Sequence, residues 1–323
     1  MILSLVLPVY NVEAYLGKCL ESCLNQNLPK SEYEIIVVID GSPDHSIDVA
    51  KKYRETNGNI KIISRVNGGL SAARNTGLKA ASGDFVWFID SDDYIEENIL
   101  GGIVGQLKEN CLDCLWIDWQ EVTGKVKIIP PFAPHSCSNS KSVYSGKEFM
   151  AKILSNYLFA WSFIYRRSFL LNNALTFTEG MYYEDTDFAF RSLPLLRRIQ
   201  QYGNICYNYL QRDGSIVHHT NMRKLEDIAK NCVSANGALG DCEPSLKRFY
   251  KICFTSYYML FVKEVLKSNN KEYEEFLITQ SIAHGFGKVC LFGNLKTKII
   301  GLLYNLFGVK VTCNIMKIVM GKR

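Results

Sequence analysis

Between Leu3 and Ile89 the chain repeats one pattern, a short run of apolar and β-branched residues followed by an amphipathic stretch. LSLVLPVY, YEIIVVID, IKIIS and DFVWFID read as strands, and VEAYLGKCLESCLNQ, SIDVAKKYRE and LSAARNTGLKAA between them read as helices. Strands apolar along their whole length, such as Ile35 to Ile39 and Phe85 to Ile89, need cover on both faces. The alternation predicts an α/β fold with a mainly parallel sheet wrapped in helices.

Ligands of such open sheets bind beyond the carboxyl ends of the strands. Here those ends carry PVYN with Pro8, Tyr10 and Asn11, then DGSPD from Asp40, then DSDD with Asp90, Asp92 and Asp93. Carboxylates packed this closely repel one another unless a cation sits among them, and hard oxygen ligands suit Mn²⁺ or Mg²⁺. The competing reading is an acidic helix start, because DDYIEENIL has the composition of a first turn. Asp40 is placed to accept hydrogen bonds from a base or ribose, with Asp44 and Ser46 as helix caps. RVNGGLSAARNTGL brings Arg74 and Asn75 on a helix whose start suits an anion, although Gly68 and Gly69 lack the spacing of a P-loop or a dinucleotide fingerprint. In FTEGMYYEDTDF, Glu184, Asp185 and Asp187 lie beside Tyr182 and Tyr183, where partial burial tunes a carboxylate toward a general base. An acidic helix start is again the alternative.

A helix and a strand are expected from Asn98 to Leu115, helical patterns at GKEFMAKILSNYLFAW and YRRSFLLNNAL, a short strand at QQYGNICYNYLQ, and mostly helix after Met222. A 47% hydrophobic content supplies a core, and a net charge of +5 without basic clusters excludes nucleic acid as the partner. Eleven cysteines without a framework, and a first strand where a signal peptide would stand, point to a reducing cytoplasm; Cys111 and Cys114 read as buried thiols. No run of about 18 apolar residues forms a transmembrane helix. Ile299, Leu302, Leu303 and Leu306 share helical spacing, with Lys296, Lys298, Lys310, Lys317, Lys322 and Arg323 around them. That pattern fits a helix lying on an anionic membrane surface, or one docked on its own domain or another subunit.

The motifs LVLPVYNVEAYL, YEIIVVIDGSPDHS, NGGLSAARNTGLKAASGDFVWFIDSDD, WSFIYRRSFL, FTEGMYYEDTDF and YNYLQRDGSIVHH resemble, in order, those of family 2 glycosyltransferases with the GT-A fold. The resemblance covers roughly Met1 to His219. It implies a domain over 1–221, with a donor-nucleotide half at 1–97 and an acceptor and catalytic-base half at 98–221, followed by a helical region at 222–323. It implies transfer of a sugar from a nucleotide diphosphate, with a leaning to UDP, to a glycan or lipid-linked hydroxyl with inversion. Pro8, Tyr10 and Asn11 would line the base pocket, Asp40 would read the base, and Arg74 would lie near base and diphosphate. Asp90, Asp92 and Asp93 match the D-x-D-type motif, with Asp92 or Asp93 as metal ligand. Asp185 matches the base with Glu184 beside it, and Arg212 and Ser215 a loop closing over the diphosphate.

Two departures stand in the second-strand motif, where Ile39 replaces an acid and Pro43 a threonine. The Q-x-x-R-W signature of processive members is absent, which favours single-sugar addition. The resemblance further implies a bacterial capsule, exopolysaccharide or O-antigen product, made at the inner face of the cell membrane. The rival readings are a catalytically silent binder on the same fold and a nucleotidyltransferase, for which VLPVYNVEAY is not the expected phosphate loop.

Overall fold

A computed structural model of the chain describes residues 1–124, 126–128, 142–154, 157–211, 220–268, 270–290 and 295–320. It forms two compact units, one of residues 1–153 with 157–213 and one of 154–156 with 214–323.

The first unit is built on a nine-stranded mixed sheet. Its strands are β1 (Leu3–Val9), β2 (Tyr33–Asp40), β3 (Ile60–Arg65), β4 (Phe85–Phe88), β5 (Tyr94–Ile95), β6 (Cys114–Thr123), β7 (Val126–Ile128), β8 (Phe163–Arg166) and β9 (Ile199–Leu210). They run in the order β3-β2-β1-β4-β8-β6-β9-β5, with β7 on β6. β1, β2 and β4 are buried along their whole length, as fully apolar strands must be. The helices α1 (Glu13–Leu24), α2 (Ser46–Thr56) and α3 (Leu70–Ala80) connect β1 to β4 through parallel pairs, in agreement with the pattern of the sequence. Beyond β4 the sheet becomes mixed, while most of its pairing stays parallel as expected. β8 runs antiparallel to both β4 and β6, and only β6 and β9 pair in parallel.

Helix α3 lies very close to the sheet. A Cβ on Gly77 would come within 2.2 Å of Val6 Cγ1, so the approach depends on the missing methyl.

Several local expectations shift. Helix α4 begins only at Leu100 and ends at Glu109, so DSDD is not a helix start. Helix α5 is confined to Gly146–Lys152, opened by a capping box in which Ser145 and Glu148 satisfy each other's backbone. Tyr165 and Arg166, read with a helix, belong to β8, and α6 (Arg167–Asn172) follows. The backbone there is drawn into sheet pairing on both sides, which overrides local helix preference. Cys114 is buried, but Cys111 is exposed in the turn after α4, with φ of 47°.

The second unit is helical, with α8 (Met222–Asp241), α9 (Lys247–Ser268), α10 (Lys271–Ala283) and α11 (Leu295–Met320). A buried pair, Lys224 Nζ donating to Glu264 Oε2 at 2.9 Å, joins α8 to α9.

Candidate active site

The loops after β1 and β2 are bound to each other. Asn11, at φ 55°, donates its backbone N–H to Ser42 Oγ at 2.8 Å, and Asp44 accepts from the N–H groups of Glu13 and Ser46 and from Ser42 Oγ. Burial works against the Asp44 charge, yet these donors hold its carboxyl down at about 2. Asp44 thus takes up the first N–H of both α1 and α2 without being the N-cap of either. Ser46, read with it as a cap, is the first residue of α2 and accepts the Val12 N–H at 3.4 Å. Pro8, near the end of β1, has its carbonyl bonded by Ser91 Oγ at 2.6 Å, which ties that strand to the DSDD loop. Tyr10 is exposed.

Asp40, expected to read the base, has its carboxylate engaged by donors of the protein itself. Its carboxylate, 2% exposed, accepts from Arg65 Nη1 at 2.8 Å and from the N–H groups of Gly68 and Gly69. It therefore braces the turn that opens α3. Arg65 was not marked in the sequence, where a basic residue at the end of a short strand reads as solvated.

Within DSDD the three aspartates diverge. Asp90 accepts from Arg74 Nη2 at 2.7 Å. Asp93, expected with Asp92 as a metal ligand, points inward at 2% exposure; its two oxygens accept from Tyr207 Oη and the Leu210 N–H, both at 2.7 Å. Burial, then the nearby charges of Asp92 and Asp90, push its carboxyl well above the usual range. Asp93 is thus a brace against β9. Asp92 is partly exposed.

Tyr207 was also missed, because an aromatic residue on a strand ordinarily reads as core. Its hydroxyl donates to Asp93 and accepts the Asp90 N–H at 3.1 Å, and its ring stacks on Trp161 at 4.2 Å.

Helix α7 (Glu184–Ser192) starts on its acids, so the helix-start reading holds for EDTD. The residue before it, Tyr183, sits at φ 59°, a left-handed conformation that costs a non-glycine residue energy. Glu184 accepts from Arg74 Nη1 at 2.5 Å, and Asp187 is held by Arg191 and by Thr178 Oγ1 at 2.7 Å. Asp185 accepts only the Thr186 N–H among the described residues. Withdrawal from water, then the like charge of Glu184, raise Asp185 to about 7 against the pull of Arg74.

Arg74 is 3% exposed and gives one nitrogen to each cluster. Its burial disfavours charge, but Asp90 and Glu184 more than restore it, so the guanidinium stays protonated. The next residue adds a second tie on one side, to the segment before α7. Asn75 Nδ2 donates to the Phe177 carbonyl and Asn75 Oδ1 accepts the Phe177 N–H, each at 2.9 Å. Helix α3 thus joins the DSDD loop to the start of α7. Arg212 and Ser215 lie outside the described residues.

A model of glycosyl transferase family 2 matches residues 4–172, just over half the sequence. The chain belongs to glycosyl transferase family 2. Among relatives of this family 2 chain, the putative glycosyltransferase EpsH of Bacillus subtilis is 31% identical over 91% of this chain and 77% of its own length. The uncharacterized glycosyltransferase EpsJ of the same organism is 30% identical over 67% of this chain, which spans 62% of EpsJ. The poly(ribitol-phosphate) β-N-acetylglucosaminyltransferase TarS of Staphylococcus aureus is 31% identical over 65% of this chain and 36% of TarS. The crystal structure of TarS 1–349 with UDP superposes with a TM-score of 0.72 at 22% identity, covering 100% of this chain and 92% of that one; a UDP-GlcNAc complex gives 0.66. The GT-A fold is shared.

The residues also bear on a metal. Among the described residues no group of three His, Cys, Asp or Glu side chains converges on one point. Mg²⁺ and Mn²⁺ do not need one, since they commonly take one or two carboxylates and complete their shell with phosphate oxygens and water. In the DSDD loop Asp92 is partly exposed, Asp90 has one oxygen on Arg74, and Asp93 is turned into the protein. Asp92 and the second oxygen of Asp90 are therefore the groups that would hold such an ion.

Proposed function

We propose that this chain is an inverting glycosyltransferase that moves one sugar from a nucleotide-diphosphate donor to a hydroxyl of a glycan or lipid-linked acceptor. The observation that supports the reading is the Arg74 fork, which binds Asp90 of one acidic cluster and Glu184, the neighbour of Asp185, of the other.

Asp185, with its proton affinity raised toward neutrality, takes the acceptor hydroxyl proton while that oxygen bonds to the anomeric carbon. The carbon–oxygen bond to the diphosphate breaks on the opposite side, and one displacement inverts the centre. A divalent cation held by Asp92 and Asp90 would neutralise charge on the departing diphosphate. The buried Nε–H of Arg74 finds no acceptor among the described residues and offers a donor to an anionic ligand. Asp40 shapes the nucleotide site through the turn before α3.

The TarS complexes support UDP as the nucleotide, and the relatives support a surface polysaccharide as the product. A lipid-linked acceptor would place the reaction at the inner face of the cell membrane. The test is Asp185→Asn, with transfer from a panel of UDP-sugars measured beside calorimetric titration of UDP with Mn²⁺. Loss of transfer with donor binding intact supports the reading. Unchanged turnover removes Asp185 as the base, and absence of nucleotide binding in the unaltered chain favours a silent relative.

A further inference from the structure

One face of α11 is anchored within the helical unit. Ile300 and Tyr304 are buried, and Tyr304 Oη donates to the Phe286 carbonyl at 2.8 Å. The Tyr304 ring lies 4.7 Å from that of Tyr258, and Asn305 exchanges two hydrogen bonds with the backbone of Val289. These contacts fix the rotation of the helix about its axis.

The opposite face carries Ile299, Leu302 and Leu306, spaced by three and four residues, with Phe307 at its edge. All four are exposed, Leu306 at 63% and Phe307 at 56%. Three or four large apolar side chains in one stripe exceed the scattered singles of an ordinary surface. Lys298 is exposed beside the stripe, and Lys310 just beyond it.

Charge says what would cover this face. After Glu275 the sequence contains no further Asp or Glu, while its Lys and Arg residues sum to seven, against a net charge of +5 for the whole chain. A second copy would bring the same positive charge to the contact and meet it with repulsion. An anionic lipid surface complements both the charge and the stripe.

The geometry also selects lying over crossing. Gly308, at φ 75° and ψ 178°, breaks α11 in two. The segment before it spans about 20 Å, short of the roughly 30 Å of hydrocarbon a crossing helix must fill. Among the described residues no helix is long and apolar enough to cross a membrane.

We propose that the Ile299, Leu302, Leu306 and Phe307 face of α11 docks flat on a bilayer containing anionic phospholipid. The inference does not depend on the transfer reaction, and its test uses vesicles that hold neither donor nor acceptor. The full chain is floated with phosphatidylglycerol-containing vesicles and with pure phosphatidylcholine vesicles, beside Leu302→Glu/Leu306→Glu and Lys298→Glu variants. Both leucines are exposed, so the fold should survive, and circular dichroism with thermal melting checks it. The expected result is partition onto the anionic vesicles only, weakened by salt, reduced about tenfold or more in the double variant and less in Lys298→Glu. Equal partition of unaltered and double-variant chains, or no partition at all, overturns it. A dimer in solution that the same leucine changes dissociate, without vesicle binding, assigns the face to a second copy and also overturns it.

Discussion

The two acidic clusters of the site have nearly the same composition and reach opposite arrangements. DSDD sits on a loop leaving a buried strand, and EDTD on the first turn of α7. In the loop, the chain turns Asp93 inward to β9 and gives Asp90 to Arg74, while Asp92 stays partly exposed. On the helix, cations take the flanking residues Glu184 and Asp187, and Asp185 between them has no ion pair among the described residues. A cluster is thus not a set of equal ligands. What surrounds each carboxylate decides whether it braces the fold or faces a reactant.

The comparison is broken most severely at the residue the clusters share. Arg74→Met leaves Asp90 and Glu184 without their buried cation, and a loss of about 3–5 kcal/mol of stability is expected from truncating one partner of such a group. Chemical denaturation measures it, and a midpoint near that of the unaltered chain would mean the fork is not structural.

Glu184→Gln sharpens the helix side. On the proposed mechanism transfer needs ionised Asp185, so activity should fall as pH drops below about 7. Removing the neighbouring negative charge lowers the affinity of Asp185 for its proton, so the acid limb of the pH–rate profile should move to lower pH. A limb that stays in place would assign it to another group.

Tyr207→Phe tests the loop side. It removes the hydroxyl that donates to Asp93 and accepts from the Asp90 N–H, and should cost about 1–3 kcal/mol as buried partners lose their bond. An unchanged melting temperature would contradict the bracing role.

The smallest effect is expected from Asp187→Asn. The Asp187–Arg191 pair is partly exposed and one helical turn apart, so about 0–1 kcal/mol is at stake, and the pH profile should keep its position. A shifted profile would show that Asp187 also shapes the field at Asp185.

Much of this could be read before the structure. The four strands and three helices up to Ile89 were legible because each buried strand is apolar throughout and each helix carries its stripe. Strand β8 was not, since four residues between two helical patterns give no periodicity of their own and gain their form from pairing with β4 and β6. In the candidate site, Arg74 stood out by residue type on its helix and the EDTD acids stood out as a group, with Asp185 singled out by the family resemblance. The division of labour between Asp92 and Asp93 did not, because adjacent residues on a loop diverge by backbone geometry that the sequence does not display. Arg65 and Tyr207 act through partners 25 and 114 positions away, a separation no local pattern spans.

Gly77 sets a mechanical tolerance. With hydrogen in place of a methyl, it works as a spacer of zero thickness between α3 and Val6, and the reach of Arg74, three residues earlier on the same helix, is measured from that seat. A single added carbon would lift the helix like a shim under a bearing. Two acids far from the contact would then drift out of alignment without either having been altered.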